Sequence, residues 1–455
     1  MEPPINLVEY ELRYLPANHG IDLDALCAYL NEVWQTRREY SEEQWEDQSK
    51  GQPFLQIGYD AQKTPFLKAG KYVGFIQFEG KTIQIIPKIF KGQKPDKAFK
   101  HLLWWLSYCR KVEFPFTDLL SDLDAIEDFP EAIIRYFAQF TYQLVSDIPY
   151  HQYEEVTETT SFVRGRLNTQ QYINTSLVRG NWHQMVCDYE PFVFNNRLNQ
   201  IIKYVARSLS NVCRFSETHH LLEKLIFVLD EVDDLPATAQ DCDTLHFNRY
   251  FEQYATCVAM CRFFLSDSYI SHPDTHQNHF CFLLPMDYVF EDFIFGVTET
   301  CLPKSVTVSS QKTEWLAQKQ NAETGEWENV FQIRNDMLLT PTDKSNGKRL
   351  IVDTKYKVRK ESIEEKKAGI AQSDMYQMVS YALRQNTTEV ALIYPLCYGQ
   401  APTEQQTFRV SSPMLNDQPI RIHAVDVCVT GESKQEMITL LTEQLKEIFK
   451  LTTHE

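Results

Sequence analysis

Asp353 and Lys355 stand two positions apart in Leu350-Ile351-Val352-Asp353-Thr354-Lys355-Tyr356, and Asp336 precedes that acid by 17 positions in Arg334-Asn335-Asp336-Met337. Two carboxylates that converge on one point make a site for Mg²⁺, a hard cation that takes oxygen ligands at about 2.0–2.1 Å and usually keeps several waters. A lysine beside such a pair can position an attacking water, or stabilise the negative charge that develops on a phosphodiester in the transition state. This is nuclease chemistry. A lone D-x-K is more often an ordinary strand face whose acid and base are solvated, so the reading depends on the elements around it.

Those elements are legible. Val330, Gln332 and Arg334 alternate with Phe331 and Ile333 up to Asp336, and Leu350, Val352, Thr354 and Tyr356 alternate with Ile351, Asp353 and Lys355. Both segments read as strands, and the turn formers of Pro341 to Lys348 predict a hairpin between them. Period 2 puts Asp353 and Lys355 on one face. Upstream, Met286, Val289, Phe290, Phe293, Ile294 and Val297 recur at helical spacing, with Glu291 at the edge of the polar side. Downstream, Gln372 to Arg384 reads as a second helix, on which Gln377 and Tyr381 are four apart and share a face.

A helix with Glu291, a strand ending in Asp336, a strand with Asp353-Thr354-Lys355 and a helix with Gln377-x-x-x-Tyr381 resemble, in that order, the PD-(D/E)xK nuclease core in its RecB-like form. More narrowly, the chain resembles the McrC family, the nuclease subunits of McrBC-type modification-dependent restriction systems. The likeness also touches Ile83-Gln84-Ile85-Ile86-Pro87-Lys88-Ile89, Val163-Arg164-Gly165-Arg166-Leu167, Asn195 to Asn199 and Asp374-Met375-Tyr376-Gln377, and covers roughly residues 70 to 400. Asn335 replaces the proline of the motif's name, at a position that supplies no metal ligand.

The resemblance implies a Mg²⁺-dependent DNA endonuclease subunit. Asp336 and Asp353 would bind the metal, with the Thr354 carbonyl as a further ligand and Glu291 acting directly or through water. Lys355 would assist the water and the transition state, and Gln377 and Tyr381 would orient the phosphate backbone or the lysine. It also implies a hexameric AAA+ GTPase partner, McrB-like, that recognises modified cytosine in duplex DNA and translocates it. The N-terminal region would dock on that ring and stimulate GTP hydrolysis; which of its residues make the contact stays open, the hairpin Tyr72 to Ile89 being one candidate. This chain has no G-x-x-x-x-G-K-[ST] loop, so GTP belongs to the partner.

The predicted fold is α+β and multidomain, because 455 residues exceed what one core usually serves. Residues 1–115 form a mixed α/β partner-docking region, 116–270 a mainly helical platform, 275–400 the nuclease domain with a mixed central sheet flanked by helices, and 401–455 a strand and helix appendage. Ile5 to Leu15 reads as one strand, Asp22 to Arg38 as a helix capped by Asp22, and Tyr72 to Phe78 and Thr82 to Ile89 as a hairpin. The apolar helix around Trp104 and Trp105 reads as core. Three helical patterns follow from Asn195, Glu217 and Tyr250, the first capped by Asn195. Arg164 and Arg166 flank Gly165, either contacting phosphate or a partner's carboxylates, or lying on a solvated strand bulged at the glycine.

The net charge of −17 is unusual for a chain that binds DNA alone, since non-specific affinity comes mostly from cations that neutralise phosphates. From Arg334 to Lys367, however, ten Lys and Arg stand against six Asp and Glu. A basic catalytic patch on an acidic remainder favours a partner that delivers the DNA. The eleven cysteines read as reduced thiols. A zinc site built from Cys257, Cys261, His272, His276, His279 and Cys281 fits no finger spacing. No apolar run reaches membrane-spanning length and the N-terminus lacks a signal-peptide pattern, so a cytoplasmic location without membrane contact is expected. Two other functions compete: a stand-alone RecB-like repair nuclease, which the negative charge disfavours, and a non-catalytic adaptor that only couples the motor, which the full set of Glu291, Asp336, Asp353 and Lys355 disfavours.

Overall fold

The computed structural model describes residues 4–16, 19–40, 51–110, 114–115, 129–266, 268–270, 279–310, 313–321, 325–342, 348–359, 367–401, 404–411 and 418–450. Two larger sheets organise it. The first has five strands in the order Ile5–Val8, Lys81–Ile86, Tyr72–Phe78, Phe280–Pro285, Ser268–Ile270. Tyr72–Phe78 and Phe280–Pro285 are buried at every position, as expected for uninterrupted apolar runs in mid-sheet. They approach most closely at Gly74, whose φ is 141° and where a Cβ would lie 2.1 Å from the Phe282 carbonyl oxygen. Only glycine fits there.

That burial narrows one expectation. Tyr72 to Phe78 is interior, flanked on one side by its hairpin neighbour and on the other by a strand from far along the chain, so this strand offers no docking surface, while Glu79 and Gly80 at the turn of the hairpin are exposed. A correction concerns Ile5 to Leu15. Glu11 N–H bonds the Val8 carbonyl at 2.9 Å, Tyr10 takes φ 65°, and the segment splits into Ile5–Val8 and Leu12–Tyr14, which belong to different sheets. Apolar alternation continues through the turn and hides it.

Helix Leu23–Tyr40 begins as expected, with Asp22 Oδ1 accepting the N–H groups of Asp24 and Ala25 at 3.0 Å each. Trp104 and Trp105 lie inside helix Pro95–Leu106 at 4% and 1% exposure, which makes them core. In the middle of the chain, helices Phe129–Asp147 and Arg197–Val212 each pack on Ser216–Val228 and Gln253–Ser266. The cap of Arg197–Val212 is Asn196, which accepts from Asn199 N–H; Asn195 instead donates to Asp233 at 2.6 Å. Between these helices lies a surface excursion of short strands, where Gly165 takes φ 67° and lies close against the Asp188 carbonyl. His279 packs against Phe78 and Tyr29 at 4.3 and 4.8 Å between ring centres, while His272 and His276 lie outside the described residues.

The second sheet has six strands in the order Val306–Ser310, Met337–Pro341, Leu350–Thr354, Glu389–Pro395, Ile420–Val427, Gln406–Val410. Its first three strands are antiparallel, Leu350–Thr354 then runs parallel to Glu389–Pro395, and that strand parallel to Ile420–Val427. The strands Ile420–Val427 and Gln406–Val410, beyond residue 401, therefore extend the same sheet. One face, with Met337, Leu339, Leu350, Val352 and Ile393, belongs to the large core that includes Phe290 and Phe293 of helix Met286–Cys301. The other, with Leu338, Ile351, Val390 and Leu392, packs on Met378 and Tyr381 of helix Gln372–Gln385.

The hairpin differs from its expected form. Trp327–Arg334 does not pair with Leu350–Thr354; it pairs with Thr313–Gln320 in a separate ribbon. The strand opposite Leu350–Thr354 is Met337–Pro341, in register Met337↔Val352. Asn335 and Asp336 form the joint between ribbon and sheet. Of the loop between the paired strands, 343–347 lie outside the described residues.

Candidate active site

Asp353 is the fourth residue of Leu350–Thr354, on the same side as Ile351 by the period of the strand. Its carboxylate is 1% exposed. Oδ2 lies 2.6 Å from Lys355 Nζ, and among the described residues Oδ1 accepts no hydrogen bond. Asp336 is joined to the same strand one residue on: its Oδ2 accepts the Thr354 N–H and the Thr354 hydroxyl, both at 2.7 Å. The hairpin thus brings Asp336, Asp353, Thr354 and Lys355 together.

Glu291 reaches this group through space, from half-buried ground on helix Met286–Cys301; its charge is felt at Asp353. Among the described residues no three His, Cys, Asp or Glu side chains come together as a metal-holding group. The site's oxygen donors are a pair of carboxylates and neighbouring main chain.

Gln377 and Tyr381 meet as their spacing predicts, Gln377 Nε2 donating to the Tyr381 hydroxyl at 2.6 Å. That hydroxyl donates in turn to the Arg334 carbonyl, also at 2.6 Å. Tyr381 is 4% exposed, so what it holds is the exit of the ribbon, two residues before Asp336. Sequence reasoning did not mark Asp374 as a partner in the site. Buried in the first turn of helix Gln372–Gln385, it accepts both its bonds from Lys357 Nζ at 2.9 Å. The acid in a first turn two residues before Tyr376 was visible, but the lysine that it meets was not.

Electrostatics follow from this burial. Removal from water pushes the Asp353 carboxyl up to about 8; the Asp336 charge adds to the rise, Lys355 opposes it, and Glu291 adds a little more. Burial pulls the Lys355 ammonium down, but the adjacent Asp353 outweighs it and the net shift is upward. Burial, then the Asp353 charge, raises the Tyr381 phenol to about 12, so at neutral pH it keeps the proton that it donates to Arg334. The local excess of cations is partly spent: Lys357 pairs with Asp374, Arg359 with Asp426, and Lys348 approaches Glu389 at 3.6 Å.

The raised Asp353 pKa carries a stability prediction. An unfolded Asp titrates near about 3.9, so between that value and about 8 the folded chain holds a proton that the unfolded chain has lost. Stability from this group is greatest at low pH and falls as pH rises through that window. Melting in divalent-free buffer from pH 5 to 8 should show a downward component that Asp353→Asn lacks. Equal slopes for the two chains would refute it.

The described helices include none long and apolar enough to cross a membrane. Residues 67–395 match the family described as McrBC 5-methylcytosine restriction system component. No curated protein matches the chain. Among solved structures, a chain of the refined half-complex from the tetradecameric assembly of Thermococcus gammatolerans McrB AAA+ hexamers with bound McrC aligns with TM-score 0.69 and 17% identity, covering 98% of this chain and 100% of that one. A chain of the cryo-EM structure of the Thermococcus gammatolerans McrBC complex aligns with TM-score 0.49 and 20% identity, covering 66% and 89%. The first of these likenesses is one of fold.

Proposed function

The chain belongs to the family of McrBC 5-methylcytosine restriction system components, and from that premise we propose that it is the Mg²⁺-dependent DNA endonuclease subunit of such a complex. The observation that carries the reading is the buried Asp353 carboxylate, with one oxygen unpartnered among the described residues, beside Asp336 and Lys355. A desolvated acid next to a second acid is unfavourable by itself, and a divalent cation would relieve both. The order helix Met286–Cys301, three antiparallel strands, helix Gln372–Gln385 and a parallel strand supports a PD-(D/E)xK core.

The residues fit Mg²⁺: two carboxylates converging at the end of a strand suit a hard cation that takes oxygen ligands. Asp353 and Asp336 would hold it, with the Thr354 carbonyl, and Glu291 would act directly or through water. When bound, the ion supplies Lewis acidity and charge neutralisation at the scissile phosphate. To serve as a ligand the Asp353 carboxyl would release its proton to solvent. Lys355 stays protonated, orients the attacking water through its ammonium and meets the developing phosphate charge. Tyr381 and Gln377 fix the ribbon exit and thereby the approach of Asp336, and Asp374 steadies Lys357 beside the catalytic lysine.

The partner in this reading is a hexameric AAA+ GTPase that recognises modified cytosine, moves the DNA and is stimulated by this chain. A chain of net charge −17 holds duplex DNA weakly without such a subunit. The test is cleavage of 5-methylcytosine-containing plasmid by the chain, with and without the GTPase, GTP and Mg²⁺. Cleavage that needs all of them supports the proposal; cleavage without the GTPase would replace it with a stand-alone nuclease. GTP hydrolysis stimulated without any cleavage would leave an adaptor.

A further inference from the structure

Lys88 joins the first sheet to the end of the strand that carries Asp353. It opens the short turn Lys88–Phe90, directly after strand Lys81–Ile86 and Pro87. Its Nζ donates to the Tyr356 carbonyl at 2.8 Å, across 268 positions of sequence. The same Nζ lies 3.9 Å from the centre of the Tyr356 ring and 4.9 Å from that of Tyr10. Glu9 seats it: Glu9 Oε1 accepts from Lys88 Nζ at 3.2 Å and Oε2 from the Lys88 backbone N–H at 3.2 Å, and the Glu9 side chain is fully buried.

What Lys88 grips is the residue after Lys355. The strand stops at Thr354, and beyond it the backbone is held by Lys355 N–H donating to the Ile393 carbonyl at 2.8 Å and Lys357 N–H to the Lys355 carbonyl at 2.7 Å. The first continues the pairing with Glu389–Pro395, and the second closes a tight turn centred on Tyr356. The Tyr356 carbonyl thus finds a side-chain ammonium from another sheet. Its ring, meanwhile, is buried against Phe290 and Trp105 at 5.7 and 6.5 Å between centres. Phe290 adjoins Glu291, and the charge of Asp287, one helical turn before Glu291, acts on both Glu9 and Tyr356. One ammonium therefore touches the elements that present Lys355, and lies close to the helix that presents Glu291.

We propose that Lys88, seated by Glu9, is a positioning residue that fixes the backbone turn after Lys355 through the Tyr356 carbonyl and so aligns the catalytic lysine. The proposal rests on the nuclease reading above. A charged donor on a buried carbonyl is a strong, directional bond, and small misplacements of a catalytic group cost large factors in rate. Loss of the ammonium should thus lower turnover while leaving DNA binding to other surfaces.

The experiment uses the full chain in three variants: Lys88→Met, Lys88→Arg and the control Lys91→Met, whose side chain is 69% exposed. Hydrogen exchange is measured without nucleic acid over the peptide spanning 353–357, and cleavage of methylated plasmid is measured with the GTPase, GTP and Mg²⁺. Lys88→Met should speed exchange at Lys355 and Lys357 and reduce kcat by roughly 10- to 100-fold, with KM for DNA nearly unchanged. Lys88→Arg should restore most of both, and Lys91→Met should match the native chain.

Should Lys88→Met fail to fold, Glu9→Gln removes the seat while keeping its shape and should move both readouts in the same direction. Unchanged exchange at 355 and 357 would overturn the proposal, as would faster exchange with undiminished kcat. If the native chain cleaves nothing, the nuclease reading falls and the catalytic role of Lys88 falls with it. The exchange data still tell that case apart, since they report the grip on Tyr356 without any reaction.

Discussion

Asp353→Asn should abolish cleavage while leaving the chain folded, with melting at pH 8 unchanged or higher. The rate should fall by roughly 10³-fold or more, because even residues that only support a metal's ligands are worth about 10–100-fold and Asp353 is read as a ligand itself. Stability should not follow activity. The native carboxylate is 1% exposed and faces Asp336, and ionising it there costs folding free energy. Asn keeps the volume and discards the charge. The measurement is single-turnover cleavage beside thermal melting; residual activity within tenfold of native would remove Asp353 from the mechanism.

The largest loss of stability should come from a different acid. Arg359 and Asp426 have side chains 2% and 5% exposed, and Arg359 donates to Asp426 Oδ1 through Nε at 2.7 Å and to Oδ2 through its terminal nitrogen. The guanidinium also lies 5.2 Å from the centre of the Tyr394 ring. Arg359→Met leaves a buried carboxylate with its main partner gone, a change worth about 3–5 kcal/mol. Asp426→Leu in the same chain should recover much of that, since the cost lies in the stranded charge. Chemical denaturation of the two single variants and the double would decide; additive losses would mean that the pair is not what holds this corner of the sheet.

Much of the site was legible in the sequence. D-x-K on an alternating strand, Glu291 on an amphipathic helix and Gln377 four before Tyr381 all rest on local periodicity, and local periodicity survives folding. Asp336 was legible as a residue but not as a place. Arg334-Asn335-Asp336 interrupt the apolar pattern before Met337-Leu338-Leu339, but with no glycine or proline between the break does not say that the strand changes partner there; the ribbon ends at Arg334, held by the Tyr381 bond to its carbonyl, and the sheet begins at Met337. The same limit hid the interior position of Tyr72–Phe78, because its second neighbour is recruited from far away. It also hid Lys88, whose use depends on a carbonyl 268 positions distant. Pairings made across the chain leave no period in either partner.

One of those distant pairings sets a timetable for synthesis. Tyr72–Phe78 pairs with Lys81–Ile86 almost at once, but its other edge waits for Phe280–Pro285, about two hundred residues later. At the usual pace of about 5–20 residues per second the wait is on the order of 10–40 s. Throughout it the ribosome carries an apolar strand with one unpaired edge, the kind of surface that joins neighbouring chains. Yield in the cell should therefore depend on nascent-chain chaperones and on translation rate more than on the stability of the finished molecule.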